Sequence, residues 1–180
     1  MKKILMSFAL AVSMIFTSCT NVDKNVEFLN SKDVLLITFG KEYSDLKQFN
    51  NYYNYTTESE ISSLKVNNAY RCVAINGRDV DVSNMTTSLF NNINDITSKM
   101  GSCLILTGFE DYDFLNDTPF VSPRKANVDI DKYYVYWSEG NGFGYRLTQV
   151  KAMDGTSVMG FDSYIITELY RKIYEFEKNQ

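Results

Sequence analysis

Short apolar runs alternate with amphipathic or polar stretches along most of the chain. Three of these runs are rich in branched side chains and only five or six residues long, namely Val34 to Phe39, Tyr70 to Ile75 and Cys103 to Thr107. Runs of this length and composition are typical of strands that are buried on both faces of a sheet. The pattern therefore predicts three buried strands before residue 110.

The most regular amphipathic stretch lies between the second and third of these strands. Its apolar residues recur at steps of three or four, which predicts one buried stripe on a helix over Asn84 to Met100. Ser83 is a residue type that caps helix N-termini, and Gly101 can adopt the left-handed conformation that closes a helix. The stripe consists of Met85, Leu89, Ile93, Ile96 and Met100.

Shorter patterns indicate the remaining elements. Lys132 to Trp137 and Gly144 to Ala152 flank a glycine-rich turn and predict a β-hairpin, followed by a short edge segment around residues 157–159. Apolar residues at helical spacing predict the other helices. These are Tyr43 to Tyr53, a short turn within Glu58 to Lys65, and Asp162 to Lys178.

A helix between two apolar strands predicts parallel pairing through a right-handed crossover. The expected fold class is α/β, with α+β as the alternative. We predict a single mixed sheet in the order β-α-β-α-β-β-β-α, with the helices packed on it, in one globular domain over residues 33–180. Phe109 to Val128 contains both prolines and shows no period, which predicts a long irregular loop.

The first residues have the pattern of a secretory signal. Lys2 and Lys3 form a basic head, Ile4 to Phe16 is almost wholly apolar, and two small residues follow. The apolar run of about 13 residues is too short for a membrane span, which needs roughly 20. We therefore predict a signal peptide over residues 1–18.

Cys19 follows this run directly, and the stretch Phe16-Thr-Ser-Cys19 resembles the lipobox of bacterial lipoproteins. The resemblance implies that Cys19 is lipidated and becomes the first mature residue; plain secretion is the alternative. It implies a lipid-anchored protein of the bacterial cell envelope; the outer membrane or the cell surface is the expected location, and the inner membrane is the alternative. The polar stretch from Thr20 to Lys32 reads as a tether, so residues 19–32 form the lipidated cysteine and its linker.

The composition excludes some classes of binding partner and some kinds of catalysis. Loss of the two leader lysines leaves 16 basic and 22 acidic residues, a net charge of −6. An acidic surface argues against nucleic acid as a partner. Histidine is absent, which excludes Ser-His-Asp catalysis and His-ligated zinc. No cofactor is expected.

Cys72 and Cys103 lie near the starts of the second and third predicted strands. If these strands are neighbours, the two cysteines approach disulfide distance, and an oxidising compartment would preserve the bond. Direct bridges between adjacent parallel strands are geometrically awkward, however. Two free buried thiols are the alternative.

Two groups of residues are candidate ligand sites. Glu110, Asp111, Asp113 and Asp117 follow the third strand, where ligands gather in parallel sheets, and would serve as calcium ligands or an acid/base pair; a solvated loop is the alternative. Strand alternation in Lys132 to Trp137 leaves one face for the core and the other for a protein or a sugar ring; ordinary packing of a half-buried strand is the alternative, since tyrosine favours strands. The residues of this aromatic surface are Tyr134, Tyr136 and Trp137.

Three stretches resemble the amino-terminal domain of TolB and the related domains of curli-secretion-type lipoproteins. They are "VLLITFG", "MGSCLILTGF" and "YRLTQVKAMDGTSVM". The resemblance implies protein–protein contact at the envelope rather than catalysis. Our leading hypothesis is therefore a membrane-anchored, non-catalytic lipoprotein that binds another envelope protein. The alternatives are a glycan-binding surface lipoprotein and a carboxylate-based hydrolase.

Overall fold

The computed structural model describes residues 22–123, 131–139, 143–148 and 160–179. They form one mixed six-stranded sheet with helices on both faces, which confirms the predicted α/β class. The helices are α1 (residues 22–31), α2 (Glu58–Ser62), α3 (Thr87–Thr97) and α4 (Phe161–Lys178). The strands are β1 (Val34–Phe39), β2 (Asn51–Tyr55), β3 (Tyr70–Asn76), β4 (Cys103–Thr107), β5 (Tyr133–Ser138) and β6 (Phe143–Thr148).

The strand order is β2-β1-β3-β4-β5-β6, and the first four strands run parallel. The β1–β2 connection crosses one face of the sheet, where Leu46 and Phe49 join the core, whereas α2 and α3 cross the other face. The β1–β2 connection moves toward one side of the sheet, and the later connections move toward the other side over the opposite face. All of these crossovers are therefore right-handed. β5 and β6 add an antiparallel hairpin at the far side, as predicted. The predicted turn at residues 140–142, residues 149–152 and the segment at 157–159 lie outside the described residues.

Each face of the sheet has its own core. β1 and β4 are buried along their whole length, because helices cover both faces. The first core lies under α1 and α4 and the second under α2, α3 and the loop after β4. Among the described residues, no helix is both long and apolar enough to cross a membrane.

The helix α3 confirms the strongest periodic prediction, with a later start and an earlier end. The Thr86 hydroxyl, rather than Ser83, caps it by accepting a hydrogen bond from Leu89 N (3.0 Å). Gly101 has the predicted positive φ of 82° and closes the turn after the helix. Met100 lies beyond the last helical turn and is 50% exposed, so it does not belong to the buried stripe.

Two predictions about the first part of the domain are wrong. The predicted helix over residues 43–53 is a 3-10 turn, Ser44–Gln48, followed by strand β2. The predicted tether is largely helix α1, which is packed on the first core through Val26 and Leu29. Both stretches are rich in asparagine. For this reason the sequence pattern did not indicate the helical spacing of the apolar residues in α1 or the strand β2.

Candidate functional site

The four acidic residues after β4 are exposed and do not converge. Glu110 and Asp111 line a cleft of about 380 Å³ at the carboxyl ends of β3 and β4, beside Arg78, whereas Asp113 and Asp117 do not line it. Within the described ranges, no group of three or more His, Cys, Asp or Glu side chains is arranged to hold a metal ion. The predicted four-carboxylate cluster therefore does not form.

The predicted aromatic surface on β5 is also wrong in part. Tyr134 and Tyr136 are each 0% exposed, because the loop after β4 and α3 cover the face on which they lie. The Tyr136 hydroxyl donates to Val121 O (2.7 Å). Trp137 is partly exposed, but the Lys172 ammonium lies 3.6 Å from the centroid of its ring. A sugar ring would have to displace this cation to stack there.

Burial of the tyrosines makes the fold sensitive to alkali. Burial raises the pKa of Tyr133 to about 12 and also raises the pKa of Tyr136 and Tyr164. The unfolded chain releases these protons near pH 10, while the fold retains them. We expect the free energy of unfolding to be unaffected by these groups below pH 10 and to fall between pH 10 and about pH 12, by up to about 1.4 kcal/mol per pH unit for each tyrosine.

Urea titrations across this pH range, read with tyrosinate absorbance, check the alkaline loss of stability. A Tyr133→Phe variant is the matched control, since it removes one of the titrating groups. It should lose less stability between pH 9 and 11 than the native chain does. An equal slope in both proteins would contradict this origin of the alkaline sensitivity.

Cys72 and Cys103 are free, fully buried thiols on neighbouring strands. They are register partners across β3 and β4, so the predicted proximity is confirmed. Burial, with Cys103 as a hydrogen-bonding neighbour, holds the pKa of Cys72 well above its usual range. Of the two alternatives for this pair, the structure has the free thiols and no disulfide.

The open edge of the sheet at β2 is the site that the sequence did not indicate. β2 is the last strand on its side and pairs only with β1 among the described residues. Tyr55 O accepts a hydrogen bond from Gly40 N (2.8 Å), so the backbone groups of Tyr55 and, by alternation, Tyr53 point toward β1. The N–H and C=O groups of Tyr52 and Asn54 therefore point outward.

Side chains close both ends of this edge. Asn50 N, before the strand, donates to Asn30 Oδ1 (2.9 Å), and Thr56 N, after the strand, donates to Glu60 Oε2 (2.9 Å). Within the described part of the chain, no backbone hydrogen bond reaches the outer side of Tyr52 or Asn54. The edge is thus a window two residues wide, with four outward backbone groups.

A hydrogen-bond chain on the first face holds this window in place. Tyr43 N donates to Tyr52 Oη (3.1 Å), which lies 2.8 Å from Thr38 Oγ1. Thr38 Oγ1 in turn donates to Asn54 Oδ1 (3.0 Å), and Asn54 Nδ2 donates to Gly40 O (3.2 Å). Both outward-facing residues are therefore fixed through their side chains before any partner arrives, which lowers the ordering cost of binding.

Two tyrosines form the other face of the window. The rings of Tyr53 and Tyr55 stack with centroids 6.2 Å apart and planes 6° from parallel. Tyr53 is 45% exposed. Charged side chains and prolines usually protect an exposed edge strand from pairing with another chain. The five residues of β2 include neither.

Scans of protein-family models, curated proteins and solved structures found no match to this chain. The resemblance to TolB-type domains stays a prediction.

Proposed function

We propose that this chain is a lipid-anchored protein of the bacterial cell envelope that binds another envelope protein and is not a catalyst. The single observation that supports binding is the open edge at β2, where four backbone groups face outward between two side-chain caps. Unpaired strand edges bind other chains through main-chain hydrogen bonds.

The anchor is supported by the basic head, the apolar run and Cys19. The described part of helix α1 starts at Val22, three residues after this cysteine. Three extended residues reach roughly 10 Å, so a lipid on Cys19 would hold the domain close to the membrane. Multiple acyl chains at about 0.8 kcal/mol per buried methylene would make that attachment stable.

Labelling with tagged palmitate in a bacterial host tests the anchor. We expect the native chain to be labelled and recovered in the membrane fraction, and Cys19→Ser to be unlabelled. A Cys72→Ala/Cys103→Ala double variant is the control, because its two lost thiols are buried and should not affect acylation. Equal labelling of the native chain and Cys19→Ser would overturn the anchor.

A pull-down of the tagged native chain from detergent-solubilised envelope tests the binding function. We expect one envelope protein to be recovered in a constant ratio to the tagged chain. Recovery of the tagged chain alone, from cells that contain the full set of envelope proteins, would refute the binding function.

A further inference from the structure

We propose that the β2 edge binds an extended segment of the partner that pairs with Tyr52 and Asn54 and carries a basic residue beside Glu60. This inference rests on the proposed function and names the chemistry of its partner. The backbone determines the mode of binding, since only an extended chain offers donors and acceptors at the spacing of a strand.

One end of the window is acidic. Glu60 accepts a hydrogen bond from Thr56 N just after β2 and forms no ion pair with a described residue. Asp33, near the start of the strand, accepts from Asn68 Nδ2 (2.8 Å) and Ala69 N (3.3 Å) before β3, so its carboxylate lies on the side of β1 away from the open edge.

The partner segment is therefore uncharged where it pairs with Tyr52 and Asn54 and basic at the end beside Glu60. At about 3.3 Å per residue, the stretch from Asn54 to Thr56 spans roughly 7 Å, so the basic residue lies about two positions beyond the one opposite Asn54. A second copy of this chain has the same negative net charge and would be repelled. The mature charge of −6 favours a basic partner as well.

Tyr53 adds a side-chain preference. Its ring is exposed and is supported from one side by Tyr55. Across a strand pair, aromatic rings pack well with β-branched or aromatic residues, at about 0.2–1 kcal/mol per pair. The partner residue opposite Tyr53 is therefore β-branched or aromatic.

Synthetic peptides test this inference on the full domain. The probe alternates threonine and valine between two lysines; one control peptide has glutamates in place of the lysines, and another has alternate backbone amides methylated. In an NMR titration to millimolar peptide, we expect amide shifts in β2 and at least tenfold weaker binding of both controls. The Glu60→Gln variant should bind the lysine and glutamate peptides equally.

Two variants separate the edge from general folding. Asn54→Pro removes one outward N–H and should abolish binding, whereas Asn54→Ala keeps that N–H, loses the side-chain hydrogen bonds that hold the window, and should bind the peptide detectably but more weakly than the native chain. Unchanged amide spectra of β3 and β4 show that each variant is folded. Absence of shifts in β2, or binding by Asn54→Pro, would overturn the inference. Dimerisation of the native chain through β2 would also overturn it.

The same variant distinguishes this inference from the proposed function. If the envelope partner is recovered equally with the native chain and with Asn54→Pro, the binding function stands and the edge is not its site. If no partner is recovered with either protein, while the lysine peptide binds β2, the edge chemistry stands and the function fails.

Discussion

Replacing Phe90 with alanine is expected to lower the free energy of unfolding by about 4 kcal/mol. Phe90 is fully buried on α3, where its ring stacks on Phe114 (5.2 Å between centroids) and contacts Phe120 edge to face (6.1 Å). Loss of the ring removes its transfer free energy and leaves a cavity beneath the loop after β4. Urea unfolding of the native and variant domains measures the difference.

Amide exchange in the loop after β4 should also detect the loss of the Phe90 ring. Phe114 and Phe120 both belong to the stretch after β4, so Phe90 joins that stretch to the helix layer. We expect faster amide exchange over residues 109–123 in Phe90→Ala. Phe90→Leu refills most of the volume and should cost less than half as much. Equal stability of the alanine and leucine variants would contradict this account, because it would show that filling the cavity recovers none of the lost stability.

The periodic and apolar elements of this fold are predictable from the sequence because local pattern and tertiary burial agree there. The buried strands β1, β3 and β4 are continuous apolar runs, and α3 and α4 have clear helical spacing. Phe90 is not in the predicted stripe, since a step of four from Met85 selects Leu89. The aromatic rings of the irregular loop pack against this neighbouring position.

At the β2 edge, the spacing of apolar residues does not predict the secondary structure. Tyr43, Leu46 and Phe49 have helical spacing, yet the stretch forms a 3-10 turn that buries Leu46 and Phe49 and then a strand. Parallel pairing with β1 and the strand preference of tyrosine outweigh that local signal. Because the window depends on which backbone groups face β1, no residue pattern alone could indicate it.

The site predicted from the order of elements along the chain is confirmed, whereas the sites predicted from residue type alone are wrong in whole or in part. The neighbouring positions of Cys72 and Cys103 follow from the βαβ order and are confirmed. The placement of Tyr134 and Tyr136 depends on what covers the second face of the sheet, which the sequence does not reveal. Cys19 lies outside the described residues, so its lipidation stays a prediction.

Replacing Glu168 with glutamine is expected to lower the free energy of unfolding by about 3 kcal/mol. The i, i+4 spacing of Glu168 and Lys172 predicts a solvent-facing pair, but the Glu168 side chain is 4% exposed and binds two guanidinium groups. Arg171 Nη2 donates to Glu168 Oε1 (2.7 Å), and Arg146 from β6 donates to the other oxygen. This carboxylate therefore joins α4 to the hairpin.

The amide keeps the shape of the side chain but leaves the two arginines without a buried counter-charge. Both guanidinium groups reach solvent, so the cost falls at the lower end of the range for a broken buried ion pair. Glu175→Gln is the matched control, since Glu175 pairs with the same Arg171 but is half exposed; it should cost less than about 0.5 kcal/mol. Urea unfolding distinguishes the two variants, and equal losses would show that Glu168 contributes no more than a surface ion pair.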